Sequence, residues 1–185
     1  TVHIINLSAT MRWSRSLSGA AQRLGLGTRL WNARRDGLVI QVSDAEMPKD
    51  EAASYAVQAE AVTASGHECV GWKVGSTSKE AQTLLGTTGP GSSPLMAPFC
   101  HGDASTIATS SAHGPELEGE FVVRFGKNLP PRGEAYTLAE VLDAVDAVAP
   151  GLEIVGSRRV GGLFGQGGMM ANADFGTNVA FCHGA

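Results

Sequence analysis

The sequence predicts an α+β fold, and three observations carry that prediction. A capping box opens an apolar-periodic helix at Thr137, an alanine-rich helical run follows Pro48, and short alternating strands surround Lys73, Glu118 and Glu153. The chain has 185 residues, 43% of them hydrophobic and 17% charged, which is enough for one sizeable core and outside the range of disordered chains. No internal repeat or linker divides it.

Taken in order, residues 1–18 read as an irregular extension, and residues 1–10 carry no formal charge. Leu17 to Arg35 reads as helix with interruptions at Gly25 and Gly27, and Asp50 to Ser65 as a second, packing helix. Glu68 to Gly75 reads as a strand. Val70, Trp72 and Val74 share one side, with Trp72 expected in the core, and Lys73 points the other way among Gly71 and Gly75. Ser78 is placed to cap a short helix ending at Gly86, and Gly89 to Pro98 reads as a Pro/Gly/Ser loop of the kind that closes over sites.

After Thr137, the residues Leu138, Val141, Leu142, Val145, Val148 and Ala149 keep helical spacing until Pro150. Gly151 to Val155 then reads as a strand, with Leu152 and Ile154 facing one way and Glu153 the other. An acid inside so apolar a run needs a reason. Gly161 to Gly168 holds five glycines but lacks the spacing and the following amphipathic helix of a nucleotide fingerprint, so it reads as a turning loop.

A net charge of −4, with no basic cluster beyond Arg34-Arg35 and Arg158-Arg159, argues against nucleic acid or an anionic membrane as partner and favours a small molecule. Cys69, Cys100 and Cys182 lie far apart with no C-x-x-C pairing, which suggests neither a disulfide framework nor structural zinc and fits a reducing cytoplasm. No apolar run is long enough to span a bilayer, and Thr1 to Arg15 has no export pattern.

The most telling stretch is Glu118-Gly119-Glu120. A strand's two-residue repeat puts both carboxylates on one face and Phe121, Val123 and Phe125 on the other. Taken alone, such a pair is ordinarily the solvated face of a half-buried strand. Two like charges fixed side by side also repel, and a divalent cation that prefers oxygen would offset the repulsion. Glu116 has the same parity and is an alternative ligand. His101 and His113 flank Asp103 and are candidates to line a pocket, although a loop histidine is more often simply solvated.

Four motifs occur together in order: Gly71-Trp72-Lys73-Val74-Gly75-Ser76-Thr77-Ser78, Glu118-Gly119-Glu120-Phe121, Asn128-Leu129-Pro130, and Pro150-Gly151-Leu152-Glu153-Ile154-Val155-Gly156-Ser157-Arg158. In order and approximate spacing they resemble the 2-keto-4-pentenoate hydratase and oxalocrotonate decarboxylase branch of the fumarylacetoacetate hydrolase superfamily, over roughly residues 20–183. The resemblance implies a mixed β-roll or barrel with flanking helices in a catalytic domain over 19–185, incomplete at its C-terminal side. It also implies Mg²⁺ or Mn²⁺ held by Glu118, Glu120 and Glu153, with Lys73 as the catalytic lysine beside the substrate. Relatives often carry an acid in the loop where this chain has Gly91.

The implied reaction is hydration of a 2-hydroxy-2,4-dienoate to a 4-hydroxy-2-oxo acid, as in catabolism of aromatic compounds. Decarboxylation of a 2-oxo-enedioate is the alternative. Acylpyruvate-type carbon–carbon hydrolysis ranks third, since His67-Glu68 reads as an exposed turn, and a catalytically weak subunit of a complex is the reading outside enzymology. Ser78 and Arg158 are further substrate-binding candidates, although capping is sufficient explanation for Ser78, and Arg158 suits a carboxylate of either the substrate or the protein. A homo-oligomer, possibly complexed with a pathway enzyme, is expected.

Overall fold

The computed structural model describes residues 3–7, 24–103, 105–163 and 165–184. Helix α1 (Leu26–Asp36) lies against α2 (Glu51–Ser65), and the two meet closely because Gly27 has no side chain: a Cβ there would fall 2.3 Å from the Val57 carbonyl oxygen. Gly25 supplies no side-chain cap to α1. Glu60 of α2 does so instead, accepting from the Thr28 N–H at 3.1 Å and the Thr28 hydroxyl at 2.6 Å. The helix expected from Leu17 thus begins at Leu26, and its residues before 24 lie outside the described ones. Asp50 caps α2 through the Ala53 N–H at 2.8 Å. Ser78 and Gly86 bound α3 (Lys79–Leu85) as the sequence predicts.

Leu30, Trp31 and Ala33 of α1 bury against Ala61, Met96, Met170 and Phe175 to form the main core. Met170 belongs to α5 (Gly167–Ala173), which occupies the end of the glycine-rich stretch that reads as loop. Gln58 ties α2 to this layer, donating to the Asn172 carbonyl at 2.6 Å and the Ser93 hydroxyl at 2.7 Å.

Three sheets accompany these helices, and none closes on itself among the described residues. The four-stranded sheet runs β4 (Cys100–His101), β8 (Asn178–His183), β7 (Val145–Val155), β6 (Glu116–Phe125), with β4 and β8 parallel and the other neighbours antiparallel. A second small core of Ile107, Ile154, Ala180 and Cys182 packs at this sheet. An antiparallel pair joins β2 (Cys69–Gly75) to β3 (Gly91–Met96). A parallel pair joins β1 (His3–Leu7) to β5 (Thr106–Ser110), so the extension that reads as irregular contains a strand, in keeping with its β-branched Ile4 and Ile5.

Three further expectations change. The helix opened by Thr137 is only α4 (Leu138–Ala144), and Val145 to Ala149 belong to β7. These residues also satisfy a two-residue period, and the long ladder with β6, from Glu116 opposite Val155 to Phe125 opposite Val145, outweighs one more helical turn. The Gly89 to Pro98 loop contains β3, whose Pro94 is tolerated because among the described residues β3 has a single sheet neighbour. Trp72, expected in the core, is 64% exposed, and Phe121 is 89% exposed, because among the described residues nothing covers the outer faces of β2 and β6.

Candidate metal centre

Strand parity puts Glu118 and Glu120 on one face of β6, and the antiparallel register sets Glu118 opposite Glu153 in β7. On its other side Glu153 is opposite Phe181 of β8, so it sits in the middle of the sheet with only 1% of its surface exposed. The three side chains converge: one carboxylate oxygen from each lies within 4.8 Å of the others. Bonds of about 2.1–2.5 Å from a Mg²⁺ or Ca²⁺ ion to two oxygens leave those oxygens no more than about 4–5 Å apart, so this spacing fits a single ion.

Lys73 reaches the cluster from the other sheet. Its Nζ lies 2.8 Å from Glu153 Oε2 and donates to the Gly176 carbonyl at 2.7 Å. Asn178 Nδ2 donates to the second oxygen of Glu153, Oε1, at 2.9 Å. One ammonium against three carboxylates leaves an excess of negative charge that a divalent cation would neutralise, and an all-oxygen donor set selects a hard ion over zinc or copper.

The electrostatics agree. Burial raises the Glu118 carboxyl above its ordinary pKa; Lys73 opposes the shift, and the neighbouring charges of Glu153 and Glu120 add to it. Glu120 is also raised, first by burial and then by Glu153. Both groups would ionise more readily with a cation present.

The other candidates lie as follows. Arg158 is fully buried, and its partner is a carboxylate of the protein: Nε donates to Asp174 Oδ1 at 2.7 Å, its backbone N–H to Asp174 Oδ2 at 2.8 Å, and Nη1 to the Asn178 carbonyl at 3.0 Å. Ser78 is exposed at the start of α3, where its hydroxyl accepts from the Ala81 N–H at 3.1 Å. Glu116 stands opposite Val155, outside the carboxylate cluster. His113 is buried with Nε2 at 2.9 Å from the Leu38 carbonyl oxygen, where it steadies the chain after α1. His67 packs edge-on against Trp31 with ring centroids 5.2 Å apart. Gly91, where the resembled branch often has an acid, lies against Asn172, whose Oδ1 would be 2.2 Å from a Cβ.

Sequence reasoning missed Arg34, Asp174, Gly176 and Asn178. Asp174, Thr177 and Asn178, polar residues grouped where the apolar strand β8 begins, are the signal that could have found them. Arg34 gave none, since a basic residue at a helix end is ordinary.

No family model matches the chain. It is 44% identical over 93 residues to a 2-keto-4-pentenoate hydratase of Paraburkholderia xenovorans, a match covering 50% of this chain and 34% of that protein. It is 32% identical over 133 residues to the TodF product hydratase of Pseudomonas putida, covering 70% of this chain and 49% of that one. The chain thus spans half or less of the curated relatives it matches. Among solved structures, 4-oxalocrotonate decarboxylase from Pseudomonas putida, complexed with magnesium and adipate, superposes with a TM-score of 0.74 at 26% identity, covering 92% of this chain and 65% of that one. Its complex with calcium and acetate gives 0.71. No helix among the described residues is long and apolar enough to cross a membrane.

Proposed function

We propose, from the chain's kinship with the hydratase and decarboxylase branch of the fumarylacetoacetate hydrolase superfamily, that it is a Mg²⁺- or Mn²⁺-dependent hydro-lyase. It would convert a 2-hydroxy-2,4-dienoate to a 4-hydroxy-2-oxo acid. The observation that carries this reading is the convergence of Glu118, Glu120 and Glu153 beside Lys73. The three glutamates would hold the ion, which when bound supplies Lewis-acid polarisation of the substrate's 2-oxygen. The open four-stranded sheet is, in this reading, one wall of a β-roll.

Lys73 is the proton carrier. Its ammonium has three N–H donors, of which Glu153 and Gly176 take two, leaving a third for substrate. The dienoate loses its 2-hydroxyl proton and gains one at its terminal carbon, and water then adds hydroxyl at C4 and hydrogen at C3. Lys73 Nζ moves protons in these steps, and its side chain is only 13% exposed.

Decarboxylation of a 2-oxo-enedioate is the second reading, favoured by the structural likeness to 4-oxalocrotonate decarboxylase. One assay separates the two. The chain is incubated with 2-hydroxypenta-2,4-dienoate or with 4-oxalocrotonate, with Mg²⁺ or EDTA, beside Glu118→Gln. Mg²⁺-dependent loss of dienoate absorbance that Glu118→Gln abolishes is the expected result. Release of carbon dioxide from the second substrate alone would replace hydration by decarboxylation, and consumption unaffected by EDTA would overturn both.

A further inference from the structure

The segment from Asp174 to Asn178 touches both members of the Lys73–Glu153 pair. Phe175, Gly176 and Thr177 have φ values of 56°, 59° and 65°, three left-handed residues in succession, two of which carry a Cβ. Residues with a Cβ rarely adopt this backbone, and it persists only where the surroundings over-determine it. Arg158 does so here. It binds the Asp174 side chain through Nε, the Asp174 carbonyl through Nη2 and the Asn178 carbonyl through Nη1, closing a clamp around the turn.

The turn delivers two groups: the Gly176 carbonyl accepts a hydrogen bond from Lys73 Nζ, and the Asn178 amide donates one to Glu153 Oε1. The amide has one possible orientation. Arg34 Nη2 can only donate and reaches Asn178 Oδ1 at 2.9 Å, whereas the Glu153 carboxylate can only accept and takes Nδ2. Arg34 is itself locked, stacked 3.9 Å from the Phe99 ring centroid and 4.8 Å from that of Phe175, and donates to the Val179 carbonyl at 3.0 Å.

We infer that the left-handed turn Phe175–Thr177, with Asn178 as its positioning residue, sets the carboxylate plane of Glu153. Oε1 stays on the protein, and Oε2 is left for the cation and Lys73. This inference rests on the three-carboxylate reading and adds the element that pre-orients the most buried of the three glutamates.

The test is Mn²⁺ binding to the full chain by calorimetric titration, beside thermal melting, for the wild type and Asn178→Ala. Asn178→Ala is expected to weaken Mn²⁺ binding about 10–100-fold, the usual cost of losing an outer partner of a metal ligand. An Asn178→Ala chain that melts like the wild type and binds Mn²⁺ equally well overturns the inference and leaves the metal reading standing. A wild type that binds no Mn²⁺ removes both. If Asn178→Ala does not fold, the side-chain amide resonances of Asn178 in the wild type decide: they are expected to shift with Mg²⁺ occupancy, and resonances unmoved at saturating Mg²⁺ overturn the inference.

Discussion

Glu118 and Glu153 are direct cross-strand partners, two acids set opposite each other between β6 and β7. Like charges in that relation ordinarily destabilise a sheet. Here the cost is partly offset by Lys73, which arrives from a different sheet to sit 2.8 Å from Glu153 Oε2. An arrangement that is costly without a cation and favourable with one makes specific demands on mutants.

Glu118→Gln removes one of the opposed charges. The metal-free protein is expected to gain about 0.2–1 kcal/mol, the scale of one cross-strand pair. Mg²⁺ or Mn²⁺ binding is expected to fall by more than the about 10–100-fold typical of losing an outer partner. Melting scans with and without Mg²⁺ check both, and a variant that still gains stability from Mg²⁺ as the wild type does would contradict the ligand assignment.

The pH dependence has a definite sign. Glu118 and Glu120 have carboxyls raised above their unfolded-chain values, chiefly by burial, so the folded metal-free protein binds protons that the unfolded chain releases. Between the unfolded and the raised folded values, stability therefore increases as pH falls through the folded values and declines as pH rises. Protons and cation compete for the same oxygens, so Mg²⁺ affinity weakens over that acid range. Denaturant midpoints and Mg²⁺ titrations from pH 4 to about 7 measure the two trends, which run in opposite directions.

Lys73→Met takes away the proposed proton carrier but none of the proposed metal ligands. Turnover is expected to fall about 10²–10⁴-fold, while Mn²⁺ still binds. The buried Glu153 then lacks its ammonium, at a cost to the metal-free fold of about 3–5 kcal/mol. Mg²⁺ should recover part of that deficit by taking over the counter-charge, and melting with and without Mg²⁺ reports it.

Arg158→Met breaks a fully buried pair and leaves Asp174 charged without its guanidinium. A loss of about 3–5 kcal/mol is expected from chemical denaturation. Arg158→Lys should rescue little of it, since one ammonium cannot span the Asp174 side chain, the Asp174 carbonyl and the Asn178 carbonyl together.

The parity of each strand was legible in the residues. Glu118 and Glu120 share a face, Lys73 turns away from Trp72, and Glu153 is apart from Leu152 and Ile154, because side-chain direction follows from a two-residue period. Caps were legible for the same local reason at Ser78 and Thr137, which accept from the Ala81 and Glu140 N–H groups; Asp50, read as the first residue of its helix, caps it instead. The residues alone left the role of Glu153 open, and it was the resemblance to a family that joined it to the other two.

Tertiary structure alone decided which strands are neighbours. Val145 to Ala149 satisfy either period, and only the waiting ladder of β6 makes them strand. Arg158 suits any carboxylate, and only the fold puts Asp174 within its reach. Trp72 and Phe121 look like core residues, yet what covers a face depends on the packing of distant segments. Local sequence sets which way a side chain points, because backbone geometry is local; what it meets there depends on contacts between residues far apart in the chain, and those exist only once the sheets have formed.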